Sequence, residues 1–325
     1  YEAFSRIADR KISVDMLVQN VGASGKADIS FTVPLDELEA ALETVREAAE
    51  VVGADEVIHD GDVAKVSVVG LEMARQTGVA DRMFQALADA GVNIQMITTS
   101  EIKISTLVDR DSALLALRAV HRAFQLERPP ADVGRAGAPT LEDAMAGRAA
   151  SAADEVVSRL QDVVDMEQLT IDDVSLDETQ ARVTISGVPD RPGVAAQVFR
   201  RVAEAGVFVD MIVQSHHGER ERTGLSFTVP RTALAESLKA TEALAKELGF
   251  RGVSHSPAVA KLSVSGVGLR SHTSVGARMF GALAEAGINV EMTNTSEVRV
   301  NMVVDGRLGR QGLAAVDRAF APFRC

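Results

Sequence analysis

Apolar positions in this chain switch abruptly between two periods. Phe280, Leu283 and Ala284 fall at i, i+3 and i+4, one face of a helix. Gly287 stands where a helix ends on a left-handed residue. Beyond it Ile288, Val290 and Met292 alternate with Asn289, Glu291 and Thr293, which is strand periodicity with one apolar face. Residues 279–297, MFGALAEAGINVEMTNTSE, therefore predict helix, tight turn and strand, and the unit occurs four times. The other copies are residues 83–101 (MFQALADAGVNIQMITTSE), 198–215 (VFRRVAEAGVFVDMIVQS) and 3–20 (AFSRIADRKISVDMLVQN). One copy is a generic αβ core element; four make it an architecture.

Residues 4–9 read as the tail of a first helix, 12–18 as a strand, 20–26 as a turn and 29–33 as a second strand ended by Pro34. Leu35, Leu38, Leu42, Val45 and Ala49 form an amphipathic stripe up to Gly53, and Val57 with Ile58 reads as a short closing strand. A second unit follows: strand 64–69, helix 77–90, paired strands 92–98 and 102–108, and helix 112–124. Each unit reads β-α-β-β-α-β, a ferredoxin-like α+β fold with an antiparallel sheet and helices on one face. Residues 127–150 lose the pattern, with three Pro and three Gly, and predict a linker. Val156, Val157, Leu160, Val163 and Val164 then form a helical stripe, a spacer or docking element.

The first half then returns. Residues 77–109 and 273–305 share 17 identities in 33 positions at a constant offset of 196. The expected organisation is four small domains in two pairs: 1–60, truncated at its start; 61–127; a linker with a helix over 128–166; 177–256; and a fourth made of 167–176 with 257–325. The split fourth domain follows from an edge argument. The chain ends just after a helix, so the last sheet lacks a strand. Residues 168–174, QLTIDDV, are strand-like and unpartnered, so they are expected to complete it with the third domain inserted between.

The chain has 325 residues, 46% hydrophobic and 25% charged, enough for several cores. A net charge of −12 argues against nucleic-acid or acidic-membrane partners. A single cysteine, Cys325, excludes an intrachain disulfide framework and fits a reducing cytoplasm. No apolar run is long enough to span a bilayer. The chain opens with Tyr1 inside a copy of the repeat, so a truncated start is expected, and no signal peptide is visible.

Residues 187–199, GVPDRPGVAAQVF, followed by 209–214, VDMIVQ, resemble the first ACT domain of the aspartate kinase family. Residues 277–300, ARMFGALAEAGINVEMTNTSEVRV, and 77–104, TGVADRMFQALADAGVNIQMITTSEIKI, resemble its second ACT domain. The resemblance covers nearly everything except the linker, and the family also inserts the first ACT domain within the second. It implies a feedback sensor of the enzyme that phosphorylates the aspartate side-chain carboxylate, inhibited by lysine, threonine or both. No cofactor is expected in this region, since ATP and magnesium would belong to a kinase domain upstream. Homo-oligomerisation through ACT–ACT contacts is also implied. The chain departs from the family in carrying two ACT pairs rather than one, and Ser274 stands where the first half has Gly78. A sensor on another amino-acid enzyme, such as a homoserine dehydrogenase fusion, and a purely structural module remain alternatives.

The resemblance places the effector at Asp190-Arg191-Pro192-Gly193, and the chemistry is compatible. Pro192 fixes φ, Gly193 allows close backbone approach, and the helix beginning Val194-Ala195 offers free N–H groups to an α-carboxylate. Asp190 and the Gln214 amide would receive the α-ammonium, and Asn289 and Val290 of the neighbouring domain would close the pocket. The second-half set includes Ser274, Val275, Ser296 and Glu297. Asp15, Gln19, Asn93, Ile94, Ser100 and Glu101 take the equivalent places in the first half, with Thr77, Gly78 and Val79 as the second-domain turn. Lysine would need a carboxylate, from Asp210, Glu291 or Glu297; threonine would need a hydroxyl partner, Ser274 or Thr295.

Other motifs carry no chemistry. Residues 22–26, GASGK, lack the earlier glycine and following Ser/Thr of a phosphate loop and read as a hairpin turn. Gly266-Val267-Gly268 is too short for a dinucleotide fingerprint. His216-His217 has no further ligand at metal spacing, and no catalytic Ser/His/Asp or Cys/His constellation presents itself.

Overall fold

A computed structural model describes residues 1–21, 27–70, 78–100, 102–127, 170–216, 222–267, 274–296 and 299–324. The helices among them are α1 (Glu2–Asp9), α2 (Leu38–Val52), α3 (Val79–Asp89), α4 (Ala113–Ala123), α5 (Val194–Glu204), α6 (Leu234–Leu248), α7 (Ser274–Glu285) and α8 (Gly309–Phe320). The strands of the first half are β1 (Leu17–Val21), β2 (Ala27–Phe31), β3 (Val63–Val69), β4 (Met96–Thr99) and β5 (Lys103–Asp109). Those of the second are β6 (Thr170–Asp177), β7 (Gln180–Pro189), β8 (Ile212–His216), β9 (Arg222–Pro230), β10 (Gly252–Ser256), β11 (Val259–Val267), β12 (Val290–Thr295) and β13 (Arg299–Asp305). The linker, the spacer helix, the GASGK turn and Gly268 to Thr273 lie outside the described residues.

The strands build two antiparallel sheets, each drawn from both halves of the chain. One runs β2-β1-β12-β13-β11-β6 and the other β10-β7-β9-β8-β4-β5-β3. The first domain thus shares a sheet with the fourth, through Gln19 opposite Thr293. The second shares a sheet with the third, through Ile97 opposite Gln214. Strand β6 pairs with β11, Asp177 opposite Lys261, while β7 to β10 lie in the other sheet. The third domain is therefore inserted between a strand and the rest of the fourth.

The repeated unit folds as its periodicity requires, with one correction. Gly287 has φ +70° and Ile288 N–H returns to the Leu283 carbonyl, closing α7 in the left-handed C-terminal turn. Ile288 and Val290 pack with the helices, but Met292 faces the opposite way, because the register slips between Val290 and Met292. Met16, Met96 and Met211 also lie on that opposite side. The four methionines meet, with Val18, Val213, Leu107, Val259 and Val303, in one cluster between the two sheets. The unit's apolar run thus serves two cores, and its methionine is the flexible filler of the sheet-to-sheet seam. The molecule is four layers deep: helices, sheet, sheet, helices.

Polar contacts also cross the seam. Ser226 Oγ donates to Asn20 Oδ1 at 2.7 Å, Asn294 Nδ2 donates to the Thr99 carbonyl at 2.5 Å, and Arg182 Nη1 lies 3.3 Å from Glu291. Lys65 pairs with Asp15, and Lys261 with Asp210. Each of these two ion pairs joins the two domains of one half.

Three further expectations change. The first strand begins at Leu17 rather than residue 12, because α1 ends in a turn with Lys11 at φ +56° and the chain needs five more residues to reach the sheet. Val57 and Ile58 form no strand, and Ile58 is exposed. The most buried line of α2 is Ala41, Thr44 and Ala48 rather than the larger apolar stripe beside it; small residues there let α1 and α2 approach. Edge strands β2 and β3 have no outer neighbour among the described residues, whereas the second half has β7 on β9 and β6 on β11. Ile29 on β2 is accordingly 44% exposed, and its repeat counterpart Leu225 only 1%.

Asp305 caps the turn into α8. Its Oδ1 accepts from the Arg307 side chain at 3.0 Å and from the Arg307 amide at 2.8 Å, and these bonds hold its carboxyl at about 2, below the ordinary value. A carboxyl depressed by folding stabilises above its unfolded pKa of about 4 and loses that contribution as pH falls toward 2. Asp305→Asn should therefore unfold at lower urea than the parent at pH 7, and the two midpoints should converge between pH 4 and 2.

Candidate effector clefts

Strand β7 ends at Pro189, and the chain turns through Asp190 and Arg191 into Gly193, whose φ of +89° only glycine adopts without strain. Gln197 N–H bonds the Gly193 carbonyl at 3.0 Å, so α5 starts there and its first-turn amides face forward without helical acceptors. A cleft opens beside this turn. It is lined on one side by Asp190, Arg191, Gly193, Ala195 and Gln214, and on the other by Phe84, Val92, Asn93 and Ile94. Asn93 Nδ2 donates to Asp190 Oδ1 at 2.9 Å, and Gln214 Nε2 donates to the Ile94 carbonyl at 3.0 Å. Gln214 is 6% exposed, so its amide is fixed before any ligand arrives.

The partner of the Asp190 turn is thus the second domain, not the fourth. Asn289 and Val290, expected opposite Asp190 and Gln214, sit elsewhere. Val290 accepts from Gln19 Nε2 at 2.8 Å, and Asn289 is exposed. The physical reason is strand order: β8 lies next to β4, and β1 next to β12. The same glutamine-to-carbonyl bond therefore occurs twice, once per sheet, and each time it joins the two halves of the chain.

The remaining expected residues divide clearly. Pro192 is exposed and does not line the cleft. Asp210 faces Lys261, Asp15 faces Lys65, and Glu291 lies against Arg182, so these carboxylates already have cations. Thr295 Oγ1 accepts from the Leu17 amide at 3.0 Å and donates to the Asp15 carbonyl at 3.1 Å, which occupies that hydroxyl. Ser296 and Ser100 bond the carbonyls of Arg299 and Lys103 and close their hairpins. Ser274 is exposed at the start of α7, and Val275 is buried. Thr77, Glu101 and Glu297 lie outside the described residues. Sequence reasoning missed Phe84, Val188, Thr223 and Leu225, which line the Asp190 cleft. Thr223 and Leu225 come from β9, hydrogen-bonded to β8, so strand adjacency is the signal that finds them.

A second cleft opens at the other end of the same domain pair. Gly78, at φ +87°, starts α3 there, and Val79, Asp81, Ser100 and Asp210 line the cleft together with Phe199, Phe208 and Ile212.

Comparison with known proteins follows this architecture. Models described as ACT domain match residues 66–124, 262–320 and 182–249. The chain belongs to the ACT-domain family. An aspartate kinase of Pseudomonas fluorescens is 45% identical over 129 residues, which is 40% of this chain and 31% of that protein. An aspartokinase of Thermus thermophilus is 41% identical over 148 residues, 45% of this chain and 36% of that protein. The chain thus spans about a third of the curated relatives it matches. The crystal structure of aspartate kinase from Synechocystis superposes with a TM-score of 0.81 at 32% identity, over 98% of this chain and 51% of that one. The ACT matches fall on the second, third and fourth domains, and the arrangement as a whole superposes on that aspartate kinase structure. Among the described residues, no helix is long and apolar enough to cross a membrane, and no cluster of His, Cys, Asp and Glu has metal-binding geometry.

Proposed function

We propose that this chain is the allosteric sensor of an aspartate kinase. In this reading a feedback amino acid binds in the Asp190 cleft, and its occupancy disfavours phosphorylation of L-aspartate to 4-phospho-L-aspartate by a cytoplasmic kinase domain on the same polypeptide. The single observation that carries it is the preorganised pair of contacts across the cleft, Asn93 to Asp190 and Gln214 to Ile94. The α-carboxylate would lie at the first-turn amides of α5, and the α-ammonium between Asp190 and the Gln214 carboxamide oxygen. Asn93 and Ile94 of the second domain hold Asp190 and Gln214 of the third, so a ligand bound by those two groups bears on the junction between the halves. Inhibition requires that it bind one arrangement of those halves better than another.

The lining favours threonine over lysine. Asp190 is the one carboxylate in the described lining of this cleft, and it is committed to the backbone-recognition end, while Thr223 offers a hydroxyl. Titration calorimetry of the folded chain with lysine and with threonine tests the reading. Threonine is expected to bind more tightly. Absence of heat with both would remove the sensor and leave a module that only holds subunits together.

A further inference from the structure

The helix layer over the sheet of the second and third domains ends at α4, which packs against α3 and turns its other side to solvent. Its inward line is Ala116 and Val120, both buried. Outward it presents Leu114 at 57% exposure and Leu115 at 52%. The fourth domain, built from the same repeat at an offset of 196, supplies the comparison. There α8 carries Arg310 and Gln311 at these places, both exposed. Strand β6 closes the sheet edge beside α8, and the Arg310 side chain is still 89% exposed. A strand added along β3 would therefore leave Leu114 and Leu115 in water.

The residues around the two leucines indicate what fits them. One turn before stands Asp111 and one turn after stands Arg118, both exposed. Among the described residues neither side chain has a hydrogen-bond or ion-pair partner. Asp111, Leu114, Leu115 and Arg118 follow the i, i+3, i+4, i+7 spacing of one helix face. The stripe is symmetrical about the midpoint of the leucines, with opposite charges at its two ends. Turned end for end it is its own complement: leucine meets leucine in the middle, and Asp111 meets Arg118 on both sides. The equivalents in the fourth domain, Arg307, Arg310, Gln311 and Ala314, have no such complementarity. Antiparallel packing also aligns the two helix dipoles favourably.

We infer that the outer face of α4 is a docking surface for a second copy of this chain, the two α4 helices packing antiparallel about a twofold axis between Leu114 and Leu115. Such a contact is isologous, so one patch serves both copies. Leu114 of one copy packs on Leu115 of the other, and the two Asp111–Arg118 pairs close the ends. A single pair of short helices buries less than the roughly 800 Å² per partner of a standard interface, so the dimer is a weak one, with a micromolar dissociation constant. The inference does not depend on what fills the Asp190 cleft.

Sedimentation equilibrium of the 325-residue chain, from low micromolar to sub-millimolar concentration, tests it. The parent should dimerise. Leu114→Asp should stay monomeric over that range, with an unfolding temperature near the parent's because the position is on the surface. Leu35→Asp, at a leucine that is 61% exposed elsewhere, should dimerise as the parent does. Asp111→Arg and Arg118→Asp each set like charges against each other at both symmetry-related ends, and each should weaken the dimer roughly tenfold. The double variant restores opposite charges and should recover most of that loss, a rescue that a role confined to the fold of α4 does not predict. A parent that stays monomeric throughout overturns the inference and leaves this face to some other partner. So does a dimer that Leu114→Asp leaves intact, single reversals without effect, or a double variant no tighter than the singles.

Discussion

Gln214→Ala should weaken threonine binding by roughly 10- to 100-fold, whereas Lys239→Ala, an exposed change on α6, should leave it unaltered. Both ends of the Gln214 amide are engaged. Its nitrogen holds the Ile94 carbonyl at 3.0 Å, and in the proposed complex its oxygen receives the ligand ammonium. Truncation removes a bond to a charged group, worth about 1.5–3 kcal/mol, and leaves a buried carbonyl without its donor. Because the lost donor also spans the two domains, Gln214→Ala should loosen the cleft even without ligand. A surface-charge explanation predicts equal affinities for both variants.

Phe84→Ala should destabilise the chain by about 3–5 kcal/mol, the range for a fully buried ring. Phe84 is on α3 of the first half, and its ring lies 5.4 Å from that of Phe199 on α5 of the second. Phe199 in turn meets Phe227 at 5.6 Å, so three rings carry one core across the junction of two domains. Phe320→Ala offers the control: it too is fully buried, in the core of the sheet that holds the fourth domain, away from this junction. Both variants should lower the urea midpoint to a similar extent. Only Phe84→Ala should also cost threonine affinity, because Phe84 lines the Asp190 cleft.

Much of this fold was legible in the sequence because each unit states its own local structure. The switch from helical to alternating periodicity at Gly287 requires a turn, and the turn is there. The inserted third domain was also legible, since a sheet missing a strand and a strand missing a sheet imply each other. Domain pairing was not. Four near-copies of one unit carry four near-identical edge strands, and nothing local to β8 distinguishes β4 from β12 as its neighbour. The family resemblance put Asn289 beside Asp190, in the neighbouring domain of the same half. In the observed pairing the backs of the two extended sheets bury Met16, Met96, Met211 and Met292 together.

The methionine itself was misplaced for a related reason. Counting by twos from Ile288 puts Met292 with the helices, and a single slipped register after Val290 moves it to the seam. Alternation read from sequence has no means of marking such a slip unless a glycine or proline signals it, and Glu291 does not. Of the expected site residues, those fixed by backbone geometry (Asp190, Gly193, Gln214) gather as expected in one cleft. Those chosen for side-chain charge, Asp210 and Glu291, are spent on Lys261 and Arg182, partners far away in sequence.

The central claim is that each effector cleft is built from both halves of the chain. A double-mutant cycle on threonine affinity tests it, using Gln214→Ala with Asn93→Ala and, separately, with Asn289→Ala. If Asn93 and Gln214 share a cleft, their effects should be strongly non-additive, while those of Asn289 and Gln214 should add. Coupling between Gln214 and Asn289, with none to Asn93, would contradict the account.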